Sequence, residues 1–439
     1  MRKFWLDCVL ATVFVFLTLW GLVSLTQMNI FNAFDSIGEA LTDVELTDYV
    51  FSGLRDDPDV DENIVIVNIG DLDRRGIAQE IQILSKYHPK VIGIDSFFDC
   101  RGLNRDTVNC PALKDTLGNL MFSEAIRQAG NVVLVTKVIP SDTAKGENIY
   151  DSLRRSDSTF KDYAYAEGYA NLETGAAYQD DVKTCRTFNP KLTVNGDEKQ
   201  AFSAAMARVY DSAKAKRFLA RNNFSEVINY RGNVADYMHT TNYPLLFPTL
   251  DVEDVLIENF VPELIRDRIV ILGYLGHELG DVSWADKFYT PLNKKMAGKA
   301  NPDMFGVVVH ANIVSMILHE NYVEQMQNWQ EAIMAFLICL LNVAVFSLIN
   351  TNLPLYYDGI TKLLQFLQLL LYSALMVLIF HWFSFKLDIT MTLAVVAVVG
   401  DVYEVYMSVI KNLFIKIFGW VSITPRPVDV LIPETPKKH

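Results

Sequence analysis

Charged residues are scarce in this sequence of 439 residues: Asp, Glu, Lys and Arg make up 21%, against 51% apolar residues. The mean hydropathy of +0.17 is high for a chain of this length. A disordered chain, which needs much charge and little apolar content, is excluded, and so is a purely soluble one. Basic residues are the scarcer sign, 39 Lys and Arg against 52 Asp and Glu, for a net charge of −13. That balance argues against a nucleic-acid partner and against docking on anionic headgroups. Five cysteines, an odd number without close histidine partners, make neither a full disulfide framework nor a zinc site. Catalytic signatures are missing as well. There is no HExxH, no nucleophile elbow and no EF-hand spacing, and the glycines of GYLGHELGD at 273, 276 and 280 follow neither the dinucleotide nor the P-loop pattern. An enzyme is not expected, nor a bound metal or cofactor.

What is present is apolar sequence gathered in four continuous runs, near residues 4–26, 331–350, 363–383 and 389–410. Each is long enough to cross a hydrocarbon core of about 30 Å, and their continuity argues against a membrane β-barrel. Arg2 and Lys3 precede the first run, and no small-x-small cleavage site follows it in GLVSLTQMN. It reads as a retained signal anchor with a cytoplasmic amino terminus. The organisation that follows is a cytoplasmic start at 1–3, a membrane helix at 4–26 and an extracytoplasmic segment at 27–327. Membrane helices at 328–350, 360–384 and 388–410 come next, then a cytoplasmic tail at 411–439. Lys411, Lys416, Arg426, Lys437 and Lys438 support the inward tail, and Trp329 and Trp382 fall at the outer boundaries. The connection NTNLPLYYDGITK reads as an inner loop. The chain is expected in the cytoplasmic membrane of a bacterium, with a periplasmic domain where the envelope has two membranes.

Residues 27–327 hold 30 basic and 44 acidic residues, a net charge of −14. Within them ENIVIVNIG is a continuous apolar run, as in a strand buried on both faces, RRGIAQEIQILSKY has helical spacing and KVIGID is a second buried strand. That unit predicts a parallel pair joined by a right-handed crossover. MFSEAIRQAG with NVVLVTKVI repeats helix then strand, and DRIVILGYLG and VVVHANIVSMILHENY add a strand and a helix. The expected fold is a three-layer α/β domain with a largely parallel sheet, attached to a membrane domain of four helices.

IVIVNIGDLD, an arginine one turn into the next helix and KVIGIDSFF together resemble the amino-terminal half of the second subtype of CHASE domain. NVVLVTKV, VINYRGN, DRIVILGYLG, DVSWADKFYTPL and FGVVVHANIVSMIL resemble its later blocks, in order, over roughly residues 50–325. The resemblance implies an extracellular sensory domain with one membrane span before it and three after it. Two departures stand out. The tryptophan- and proline-containing loop usual before the arginine is reduced to DRRG, and no kinase or cyclase follows the last span. The output is therefore expected in trans.

Several side chains are candidates for sites. Asp71, Asp73, Asp95, Asp99 and Asp281 follow the carboxyl ends of expected parallel strands, the edge where open α/β sheets bind ligands. Such carboxylates suit a cation, but capping helices and turns is the commoner duty of aspartate at these junctions. Arg75 sits where it would pair with Asp71 or Asp95, or receive an anionic ligand. His277 and His310 are weaker candidates for a ligand or base, His310 reading as structural. Cys100 and Cys110 are expected to close the loop CRGLNRDTVNC as a disulfide, contributing roughly 2–3 kcal/mol, with Cys185 reduced. Asp401 and Glu404 lie three apart in the last run, on one helix face, with Asp401 roughly 15 Å from Lys411 along the helix. Either they sit within the bilayer at a cost of at least about 2.5 kcal/mol each, or the span ends before them.

The function expected is a sensor or receptor subunit that contacts lipid and signals through, or scaffolds, a separate membrane or cytoplasmic effector, as a homo- or hetero-oligomer. The alternative is an accessory subunit of an envelope complex, with Asp401 and Glu404 as an ion-coupling site if Asp401 is buried in the helix bundle.

Overall fold

The computed structural model describes residues 2–26, 45–99, 114–140, 150–172, 174, 184–234, 245–281, 284–295 and 301–413. The chain divides into two compact units, one from Met1–Glu39 with Glu324–His439 and the other from Ala40–Val323. Its longer helices are α1 (Arg2–Thr26), α2 (Arg74–Ser85), α3 (Thr116–Ala129), α4 (Phe202–Tyr210), α5 (Ser212–Ala220), α6 (Gly306–His319), α7 (Asn328–Asn352), α8 (Tyr357–Phe383) and α9 (Thr390–Val405). Cys100 and Cys110, expected to form a disulfide, and the tail beyond Leu413 lie outside the described residues.

The unit Ala40–Val323 is built on a nine-stranded mixed sheet. Its strands are β1 (Ile64–Asn68), β2 (Val91–Ile94), β3 (Val132–Pro140), β4 (Tyr150–Arg154), β5 (Ala166–Tyr169), β6 (Lys191–Val194), β7 (Asp197–Gln200), β8 (Thr249–Leu250) and β9 (Ile269–Gly273). They run in the order β8-β1-β9-β2-β3-β4-β6-β7, with β5 also paired to β3. The pairs from β8 to β3, and β3 with β5, are parallel, whereas β3–β4 and β6–β7 are antiparallel. The sequence predicts β1 and β2 as neighbours. Instead β9 lies between them, with Val67 opposite Leu272 and Ile271 opposite Gly93. The reason is apolar burial: all five residues of β9 are buried, which two flanking strands achieve and an edge position does not.

Alternation along the strands sends side chains to two faces. On one face Val65, Val67, Ile92, Ile94 and Leu272 pack against Ile77 and Ile81 of α2 and Phe122 and Ile126 of α3. On the other, α4 and α6 approach so closely that a Cβ on Gly93 would meet Met206 Sδ at 2.2 Å, and one on Gly273 would meet Val307 at 2.5 Å. Helix α6 is buried from Gly306 through Leu318. With 14 residues it is a core helix rather than a membrane span. Asp73 caps α2 through Arg75 N (3.0 Å) and Gly76 N (2.9 Å), and Gly130, at φ 68°, ends α3.

In the second unit α1, α7 and the segments Pro354–Phe383 and Thr390–Leu413 are four helices long and apolar enough to cross a membrane. Ala11, Val15, Cys339, Val343, Val395 and Val399 meet in its interior. Leu367, Leu370 and Leu371 of α8 are each more than half exposed, the pattern of helices that face an apolar solvent. The connection expected as an inner loop is mostly helical: α7 runs to Asn352, one short turn covers Pro354–Tyr356, and α8 begins at Tyr357. Its one proline falls at that turn, the only place a helix pair this close tolerates it. At the other end of α8, Phe385–Lys386 pairs parallel with Glu324–Gln325.

Candidate functional site at the carboxyl edge of the sheet

Asn68, the last residue of β1, organises this edge. It is fully buried, and its amide donates to Asp251 Oδ1 (2.9 Å) and to the Gly276 carbonyl (3.1 Å). Its carbonyl accepts from Gly70 N (3.0 Å) and Leu275 N (2.9 Å). One amide thus satisfies the loops after β1, β8 and β9 where they leave the sheet. Asp251 also accepts from Leu279 N at 3.0 Å. Nothing in the sequence pattern singles out Asn68; a lone polar residue ending a fully apolar run is the one signal it offers.

The expected site residues fall around this knot with different duties. Asp71 Oδ2 lies 2.5 Å from His277 Nδ1, and both side chains are largely exposed. The hydrogen bond that His277 donates to Asp71, and then the charge of Asp71, raise the His277 pKa above its ordinary value. Asp281 Oδ2 accepts from His277 N at 3.0 Å, closing the glycine-rich turn. Asp73 is a helix cap. Arg75 meets neither Asp71 nor Asp95: it forms a forked ion pair with Asp115, the cap of α3, and holds that carboxylate down at about 2. Asp115 comes from a helix start that the β1–β2 spacing does not reveal. Asp99 pairs with Arg154.

Asp95 is different. It is half-buried at the end of β2, its backbone N–H donates to the Leu272 carbonyl (2.8 Å), and no described group donates to its carboxylate. Burial pushes it up to about 7. Asp286 faces the same space. Although the residue as a whole is exposed, its carboxylate lies against Gly306, where a Cβ would come within 3.2 Å of Oδ2. Burial, and then the charge of Asp95, push it up to about 7 as well. Two acids so placed take up protons near neutrality and would shed them for a cation or a donor-rich ligand. Among the described residues no three His, Cys, Asp or Glu side chains are grouped to hold a metal ion.

Elsewhere in this unit several buried polar groups are satisfied by pairs the sequence does not announce. Asp61, fully buried, accepts from Ser315 Oγ (2.6 Å), His319 Nε2 (3.1 Å) and Asn63 N (2.9 Å). Burial alone would raise its pKa, but these bonds bring it down to about 2. His310 Nδ1 lies 3.0 Å from Ser203 Oγ, and burial lowers it to about 4, so it is a neutral structural residue. Cys185 is a buried thiol.

In the helical unit Asp401 and Glu404 do not face the interior. Both are exposed, and Asp401 forms an ion pair with Lys362 of α8. Tyr357, the first residue of α8, donates to the Gly400 carbonyl (3.3 Å), so Asp401 lies level with that end of α8. The buried Asp401 that ion coupling requires is not what this unit contains, because outward projection leaves the carboxylate beside a lysine rather than among apolar side chains. Among the described residues the buried charges of this unit are instead Glu331 and Lys411, and Lys411 pairs with the half-buried Asp7 of α1.

The family model of the CHASE2 domain matches residues 12–347, more than half of the chain. No curated protein matches the chain, and no solved structure does.

Proposed function

The chain belongs to the CHASE2 domain family, a family of extracellular sensory domains, and from that premise we propose that it is a membrane-anchored sensor subunit acting through a separate protein. The observation that carries this reading is the pairing, in one chain, of the family's α/β unit with four helices long and apolar enough to cross a membrane. In this reading Ala40–Val323 lies outside the cytoplasmic membrane, the sheet is sandwiched between two helix layers, and both chain ends face the cytoplasm. The charges near those ends support that orientation, since Arg2, Lys3, Lys362 and Lys411 belong to the segments this reading assigns to the cytoplasmic side. Asp95 and Asp286 are the acids of the carboxyl edge left to answer a ligand. Asp401, Lys362 and Glu404 form a charged outward face on which a partner helix would dock.

A second reading has its own support. Asp73, Arg75 and Asp99 are engaged in a cap and in ion pairs, which suits a structural subunit of an envelope complex that senses nothing. One experiment separates the two. The protein is purified from native membranes in mild detergent, its companions are identified, and the complex is challenged with small-molecule extracts. A stoichiometric companion with a cytoplasmic output domain, whose activity changes with the extract, is the expected result. A constant complex that answers no extract overturns the sensory reading, and a functional monomer without companions overturns both.

A further inference from the structure

An open cavity of about 250 Å³ lies in the α/β unit, away from the acids described above, between β3, β5, β7 and α4. Its charged lining is matched almost throughout. Arg155 is ion-paired with Glu167, Glu198 with Lys191 at 3.0 Å, and Lys199 with Asp197 at 3.1 Å. Arg208 of α4 is the exception: no described acid or carbonyl pairs with its guanidinium. The cavity wall therefore carries one unmatched positive charge.

A second observation points into the same space. Gln200, the last residue of β7, lines the cavity, and its side-chain carbonyl Oε1 is buried without any donor. A buried acceptor left unsatisfied costs about 1–3 kcal/mol, so its natural completion is an N–H or O–H brought by a ligand. The floor adds the buried Thr136. The cavity thus offers one cation and one acceptor, set on opposite partners of the α4–β7 junction.

We infer that this cavity is a further ligand pocket of the domain, distinct from the carboxyl edge, and takes a small α-amino or α-hydroxy acid, its carboxylate on Arg208 and its amino or hydroxyl hydrogen on Gln200 Oε1. A guanidinium suits a carboxylate because its planar fork donates twice to two oxygens. The volume is sufficient for a molecule of that size. The inference rests on the sensory reading above and adds the ligand class and its residues.

The test uses the full-length protein in detergent and calorimetric titration with L-alanine, L-glutamine, L-lactate and L-malate. Acetate and ethanolamine serve as probes that carry the anion or the donor alone. At least one of the four acids should bind, and the two partial probes should bind more weakly by about tenfold or more. Arg208→Ala should weaken that binding about tenfold, Arg208→Lys less, and Gln200→Leu about threefold. Because Arg208 is exposed, its variants should melt as the parent does. No binding by any of the four acids overturns the inference, as does binding indifferent to Arg208→Ala. Binding that survives Arg208→Ala but is lost in Asp95→Asn sinks the cavity and leaves the sensory reading standing. Binding through Arg208 that never alters a co-purified partner does the reverse.

Discussion

Asp7 of α1 and Lys411, just beyond the π-helical turn Tyr406–Ile410 that follows α9, form an ion pair with side chains only 21% and 8% exposed. Tyr406 Oη donates to the same carboxylate at 3.0 Å. The first and last apolar helices are thereby latched at one end.

Removing either partner strands a poorly hydrated charge. Asp7→Ala or Lys411→Met should destabilise the helical unit by about 2–3 kcal/mol, and the double variant should recover part of that loss. Unfolding in detergent, followed for the four proteins of the cycle, measures the coupling. Strictly additive losses would show that the pair contributes nothing.

Asn68 should be the least replaceable residue of the carboxyl edge. Asn68→Leu leaves Gly70 N, Leu275 N and the Gly276 carbonyl without their partner and should cost about 2–4 kcal/mol. Denaturant titration reads the loss, and a change within half a kcal/mol would mean that water replaces the amide.

Glu80 of α2 is fully buried, and neither carboxylate oxygen has a donor. Burial, and then the nearby charge of Asp251, raise its pKa from 4.5 to about 8. The folded chain keeps this proton where the unfolded chain has lost it, so stability falls as pH rises from 4.5 to about 8. Glu80→Met should raise stability at pH 7 by roughly 2–3 kcal/mol and flatten that part of the profile. Melting curves across the window decide it: an unchanged slope would place the titration elsewhere.

The Asp71–His277 pair acts in the same sense, over a window that opens at 6.5. With the histidine pKa raised, the stability it contributes is complete below 6.5 and disappears as pH rises through the raised value. Asp71→Asn should return His277 to its ordinary titration in a histidine-resolved NMR experiment. A resonance that titrates identically in both proteins would refute the contact. The effect on melting should be small, because both groups are exposed.

The sequence by itself determined the strands of the sheet's centre, the α/β class and the four long apolar helices. These follow from local patterns: an unbroken apolar run such as IVIVN needs burial on both faces, and a run of twenty or more apolar residues needs an apolar solvent. It also determined that aspartate would stand at the strand ends and that Asp73 suits a cap. Tertiary structure alone decided partners. That β9 lies between β1 and β2 depends on pairing across some 200 residues of sequence, which no local pattern encodes. Arg75 finds Asp115, Asn68 finds Asp251 and Asp7 finds Lys411 for the same reason. A carboxylate's role is fixed by what stands within about 3 Å of it, and that neighbour comes from another part of the chain. Asp401 shows the rule from the other side: its helix and its spacing were legible, but whether it faced the bundle or Lys362 was settled only when α8 and α9 packed.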